Sequence, residues 1–207
     1  MSAFFHMLVL FFRDMFLYMM IAIFLENTIF SRAIGTSTSL YAVRKKFNVF
    51  LFGLVMTIVI TVSSVITYFI SPLIKTFSFS SYVTPIVYVG IIGVVYILAL
   101  LFTGSFIKKR KKDILSIIHV SAFNCATLGA LLLASDISDS SLGAFLGFGI
   151  GSGLGFTLAT YFVSLAYERL SSEEVPNMFQ GFPITLIYIG LVSLAIYGLI
   201  GHQLTQG

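Results

Sequence analysis

The chain has 207 residues, 58% of them hydrophobic and 10% charged, with a formal net charge of +4 and a mean hydropathy of +1.03. A soluble domain carries about 25% charged residues, so a soluble globular fold is excluded. The apolar runs are continuous rather than alternating, which excludes a transmembrane barrel and leaves an all-α integral membrane protein.

A membrane-spanning helix needs about 20 largely apolar residues, and six stretches qualify in chain order. They run from about Met15 to Phe30, Val49 to Ile70, Ile86 to Ile107, Ile114 to Leu133, Leu142 to Ala166 and Pro183 to Ile200. The first is short unless Phe4 to Phe12 contributes, and Arg13 and Asp14 are read as marking its outer interface. That interruption, with no small-residue cleavage site before the next span, argues against a cleaved signal peptide. The segments between spans are short, which predicts one membrane domain over residues 1–207.

The basic residues are clustered, so the charge reports orientation in the bilayer and not nucleic-acid binding. Loops one, three and five hold Arg32, Arg44, Lys45, Lys46, Lys108, Lys109, Arg110, Lys111, Lys112 and Arg169, against Arg13 and Lys75 elsewhere. The positive-inside rule then places those loops in the cytoplasm and both termini outside. Asp136 and Asp139, between spans four and five with no base, agree with this. The run Lys108 to Lys112 reads as a topology anchor, with a lipid-binding patch as the alternative.

The chain divides near Lys108 to Asp113 into two halves of three spans, about 13–107 and 113–201. Three is odd, so homologous halves would be inverted relative to each other, with function at the midplane where broken helices meet. The first span of each half is the polar one. Span one runs into Glu26, Asn27 and Thr28, then Ser31, Arg32 and the small-residue run from Gly35 to Ser39. Span four carries Ser116, His119, Ser121, Asn124, Cys125 and Gly129. Polar groups within spans usually face the bundle interior, and a helix break is tolerated only where its backbone groups find partners. The two half-initial spans are therefore expected to be broken and to meet. In span five, Gly147, Gly151 and Gly155 recur every fourth residue, with Gly149 and Gly153 beside them. This is a face for close helix packing. A nucleotide-binding glycine loop would have to follow a strand.

Several residues carry two readings. Cys125, the single cysteine and thus excluded from any internal disulfide, is either a buried small hydrophobe or a soft ligand. Asn27 and Asn124 either pin broken helices or support a cofactor from behind. Glu26 lies on an ion path or caps a helix end. His119 is a candidate metal ligand or proton carrier, but six residues before Cys125 it falls nearly opposite on one helix. No serine–histidine–acid arrangement and no phosphate loop is visible, so the chain is not expected to catalyse a reaction alone.

The run Asn124-Cys125-Ala126-Thr127-Leu128-Gly129 resembles the Asn-Cys-Ala-x-Leu-Gly motif of the six-span membrane subunits of the Rnf and Nqr redox complexes, of the Rnf A and Nqr E kind. Glu26-Asn27 and Ile34-Gly35-Thr36-Ser37 are similar to that family's Asn-rich end of span one and its Leu-Gly-x-Cys motif. Glu168-Arg169-Leu170, Val175-Pro176, Phe179 and Gly181 are similar to the motif after its fifth span. The resemblance covers nearly the whole chain from about Arg13.

It implies a bacterial inner-membrane subunit of a translocase that couples electron transfer to Na⁺ or H⁺ movement. It also implies a homologous partner of opposite topology, flavin or iron–sulfur subunits, and a [2Fe–2S] cluster shared between the two homologous subunits. The implied cofactor-binding residues are Cys125, Ser37, Asn124, Asn27, Gly35 and Gly129, with Cys125 as the metal ligand. Where the family has its first-half cysteine, this chain has Ser37, a harder and far less acidic donor. Three outcomes stay open: a cluster held by three thiolates plus Ser37 or another ligand, a different cofactor, or a cluster-free paralogue acting as transporter or scaffold subunit.

Overall fold

With no water available in hydrocarbon, each backbone N–H and C=O must be satisfied within the segment, and every described element of this chain is helical. The computed structural model describes residues 2–77, 79–106, 111–137, 141–170 and 175–200. In order they form α1 (Ser2–Met20), a π-helical turn (Ile21–Leu25), α2 (Thr36–Arg44), α3 (Val49–Lys75), α4 (Ser80–Phe106), α5 (Lys111–Ala122), α6 (Cys125–Ile137), α7 (Leu142–Leu170) and α8 (Phe182–Ile200). Four stretches are long and apolar enough to cross a bilayer: Phe4–Leu25, Val49–Lys75, Ser80–Ser105 and Leu142–Tyr167. A fifth results if α5 and α6, bent by 48° at their junction, count as one span. The apolar part of α8, Phe182–Gly198, is shorter than the others, so six full-length spans are not found among the described residues.

The first span differs most from expectation. It begins at Phe4, not near Met15, and ends at Leu25, not at Phe30. Arg13 and Asp14 do not interrupt it, because Nε and Nη2 of Arg13 donate to Asp14 Oδ1 at 3.0 and 2.8 Å and the two charges offset each other inside α1. Lys108, Lys109, Arg110 and Asp139, which bear on orientation, lie outside the described residues.

α7 is the axis of the bundle. A Cβ added to Gly143, Gly147 or Gly151 would run into the backbone of Phe11, Met15 or Met19 of α1. On the neighbouring face, Gly149 and Gly153 bring α7 against Thr61 and Thr57 of α3, while Gly53 of α3 makes room for Thr157 of α7. Both glycine stripes read from the sequence are thus packing faces. Association in lipid depends on close van der Waals approach because burial of apolar surface gives little. Large side chains fill the layers between, including Phe52, Met56, Phe148 and Phe156, all fully buried.

Gly147→Leu is expected to exceed the roughly 1–3 kcal/mol typical of overpacking, because the obstacle is the Met15 backbone. Gly93, with open space around its Cα, should accept alanine with a stability change within about 1 kcal/mol. Thermal unfolding of both variants in detergent checks the contrast; equal tolerance would contradict the packing assignment.

Candidate functional site

Two helix breaks lie among the described residues, one between the π-helical turn and α2 and one between α5 and α6. The first follows the π turn, where the Glu26 N–H donates to Ile21 O at 2.8 Å and the helix ends. Asn27, 2% exposed, holds the turn that follows. Its Nδ2 donates to Ile23 O at 2.9 Å and to Gly155 O of α7 at 3.1 Å, and its Oδ1 accepts from the N–H groups of Ile29 and Phe30 at 3.0 and 3.1 Å. The second break separates α5 from α6. Asn124 repeats the arrangement: Nδ2 donates to Val120 O at 3.4 Å, and Oδ1 accepts from the N–H groups of Ala126 and Thr127. The same amide also reaches Met56 Sδ at 3.4 Å on α3, and Thr127 Oγ1 donates to Ser121 O at 2.7 Å across the bend. In each break one asparagine bonds four residues back and caps two and three residues ahead. The pinning role of Asn27 and Asn124 is therefore visible in the geometry.

The breaks touch. Gly35 caps α2 with φ +86°, and a Cβ there would fall 2.7 Å from Ala126 Cβ and 2.8 Å from Phe156 Cε2. A Cβ on Gly129 would lie 3.1 Å from Ile34 Cδ1. These two glycines are the places where one broken segment crosses the other. Ser37, two residues beyond Gly35, and Cys125, one before Ala126, sit on the two helix starts at this crossing, and both are exposed. Of the two readings of Cys125, the buried small hydrophobe does not hold: the thiol is free and exposed.

A straight helix would put His119 nearly opposite Cys125, but the 48° bend invalidates a helical wheel drawn across both segments. His119 Nδ1 lies 2.6 Å from Tyr96 Oη, and the ring lines a groove of about 470 Å³ together with Ser37, Tyr41 and Phe123. The structure thus brings His119 to the Ser37 side of the crossing, and the groove lining does not include Cys125. Among the described residues, no group of three or more His, Cys, Asp or Glu is close enough to hold a metal ion.

Glu26 and Arg32 form an ion pair, with Nε and Nη2 of Arg32 both 2.8 Å from Glu26 Oε2. Arg32, which reads as a loop cation in the sequence, is therefore part of the first break. The pair lines a cavity of about 670 Å³ against Gly190, Ser193 and Tyr197 of α8. Sequence reading missed Thr127, Met56 and the Gly155 carbonyl as partners of the breaks; only Thr127 carried a signal, its place in the motif after Cys125.

Long apolar helices, two of them broken and crossing, define a multi-pass membrane protein with polar groups held where the helices open. The sequence matches the family described as "Rnf-Nqr subunit, membrane protein" over residues 15–202, and the chain belongs to that family. It is 30% identical over 190 residues to the A subunit of the Na(+)-translocating ferredoxin:NAD(+) oxidoreductase complex of Acetobacterium woodii, covering 90% of this chain and 96% of the relative. It is 33% identical over 153 residues to the A subunit of the ion-translocating oxidoreductase complex of Alcanivorax borkumensis, covering 72% and 77%. The corresponding protein of Actinobacillus pleuropneumoniae is 30% identical over 153 residues, again covering 72% and 77%. The chain is accordingly a membrane subunit of a complex of this type, with other subunits as its partners.

Removing an asparagine should loosen its break. Asn27→Ala is expected to cost about 2–3 kcal/mol, a cap of about 1 plus buried N–H groups left unpaired. Asn124→Ala, half-buried, should cost about 1–2 kcal/mol on the same grounds. Thermal unfolding in detergent measures both, and a wild-type value for Asn27→Ala would contradict the pinning role.

Proposed function

We propose that this chain is the electron-carrying membrane subunit of an ion-translocating oxidoreductase complex, and that Cys125 donates a thiolate to a centre shared with a homologous subunit of opposite topology. The observation that supports this most is the crossing of the two breaks, which leaves Ser37 and Cys125 exposed where a partner can reach both. The matching asparagine caps support two related halves, about 13–107 and 113–201, in inverted orientation, with loops one, three and five cytoplasmic and both termini outside.

The donor chemistry fits an iron–sulfur centre at one position of two. Cys125 offers the soft thiolate such clusters take, whereas the Ser37 hydroxyl does not replace one. The remaining ligands then come from the partner. When bound, a [2Fe–2S] cluster supplies a one-electron carrier at the level of the breaks. The chain's own residues position it: Asn27 and Asn124 fix the breaks, and Gly35 and Gly129 allow them to meet. Flavin or iron–sulfur subunits on either side would deliver and remove electrons, as the names of the relatives suggest for an assembly acting between ferredoxin and NAD(+). A second reading is favoured by Ser37 itself: a scaffold-keeping paralogue that holds no cluster.

Iron, acid-labile sulfide and the visible spectrum of the complex purified with its native partners decide between them. The account expects iron and sulfide to co-purify, to fall to background in Cys125→Ala, and to rise in occupancy or change in potential in Ser37→Cys. Iron unchanged in Cys125→Ala would refute the ligand role. A wild-type complex without iron or sulfide would establish the cluster-free reading.

A further inference from the structure

Lys75, Ser80 and Asp136 stand at the ends of apolar stretches: Val49–Lys75, Ser80–Ser105 and the bent pair that closes with Cys125–Asp136. Residues at the ends of spans lie at the level of the lipid headgroups, outside the hydrocarbon. The three ends enclose a vestibule of about 310 Å³. Ser71 and Lys75 of α3, Ser81, Pro85 and Tyr88 of α4, and Asp136 of α6 line it. One cation and one anion thus border a single cavity, and they do not neutralise each other: among the described residues neither Lys75 nor Asp136 belongs to an ion pair.

Each charge has room for a partner. Lys75 Nζ donates to Ser135 O at 3.4 Å, which caps the end of α6 and leaves two of the three ammonium donors. Asp136 lies in the last turn of α6, where the helix dipole is negative and disfavours a carboxylate, so it gains from a cation. The walls carry further unmatched groups. Tyr88 is 1% exposed and Ser71 5%, and among the described residues neither hydroxyl has a hydrogen-bond partner. Buried hydroxyls are normally bonded, and both residues border the vestibule, where a ligand would meet them. Pro85 has no N–H, so the Ser81 carbonyl loses its helical donor and becomes an acceptor in the same wall. Ser71 and Lys75 also border a second cavity, of about 340 Å³, with the largely apolar lining of Tyr68, Phe69, Pro72 and Phe145.

We propose that this vestibule binds the phosphoethanolamine headgroup of a membrane phospholipid, with the phosphate on Lys75 and the ammonium on Asp136. The start of an acyl chain then lies in the cleft of Phe69, Pro72 and Phe145. A zwitterion satisfies both charges at once, which a purely anionic headgroup does not. A primary ammonium also has N–H groups for Asp136 and the Ser81 carbonyl, whereas a trimethylated one has none. The polar vestibule and the apolar cleft meet at Ser71 and Lys75, as an amphiphile requires. The site stands independently of the role given to Cys125.

Native mass spectrometry of the full chain tests this. The purified chain is equilibrated in detergent with equal amounts of dioleoyl phosphatidylethanolamine, phosphatidylcholine and phosphatidylglycerol, and the lipid retained per chain is counted. The wild type is expected to retain one phosphatidylethanolamine several-fold more often than either of the others. Asp136→Asn should abolish that preference, and Lys75→Gln should lower phosphatidylethanolamine retention several-fold. Both side chains are exposed, so neither change disturbs the packed bundle, and an unchanged thermal unfolding midpoint in detergent checks this. Tyr88→Phe, which removes only the hydroxyl, should also lower retention several-fold. Equal retention of the three lipids by the wild type, or wild-type retention and preference in Asp136→Asn and Lys75→Gln, would overturn the site. Displacement of the lipid by an equal concentration of free phosphoethanolamine would overturn the membrane source and make a soluble zwitterion the ligand.

Discussion

A helix that opens inside a bilayer exposes N–H and C=O groups that hydrocarbon cannot satisfy, and this chain opens twice. One side-chain amide closes each opening. Asn27 and Asn124 supply donor and acceptor together, reaching a carbonyl four residues back and the amides two and three residues ahead. A serine or aspartate at either place would give only part of that set. Because the turns are fixed, Gly35 can hold its left-handed conformation against Ala126 and Phe156, and the two broken segments cross at a defined point. The exposure of Ser37 and Cys125 follows from that crossing.

The crossing needs a rigid support, which α7 provides. Its glycines let α1 and α3 approach on two adjacent faces, so the helix that accepts Asn27 through Gly155 O is also the one against which both neighbouring spans are packed. Energy and position are coupled here: the close approach that stabilises the bundle in lipid also sets the height of the first break. Polar groups left at the surface mark where the bundle is incomplete. An exposed thiol, a histidine on Tyr96 and an ion pair beside α8 do not suit hydrocarbon, and one member of a larger complex has partners to cover them.

Much of this was legible in the residues. Uninterrupted apolar length gave α3, α4 and α7. Polar residues in otherwise apolar spans marked both breaks, and the four-residue glycine spacing identified α7 as a packing helix. What failed did so for physical reasons. Arg13 and Asp14 read as the edge of a span, but adjacent opposite charges pair and stay within α1. Arg32 read as a loop cation, but Glu26 six residues earlier holds it in the break. The groove joining Ser37 to His119 was invisible because helical periodicity does not carry across a bend, and the Gly35–Ala126 contact joins residues far apart in sequence. The apolar neighbours of Cys125 left its exposure open, because in a membrane an apolar segment also faces outward.

The central claim is that the two breaks cross through Gly35 and Gly129, with the exposed residues 37 and 125 on the helix starts at the crossing. Nitroxide labels on Ser37→Cys and on the native Cys125 of the chain in lipid measure this directly, with each single-label protein as reference. The account predicts strong dipolar broadening of the double-label spectrum, reduced when Gly35→Val forces the segments apart. A double-label spectrum equal to the sum of the two singles would contradict it.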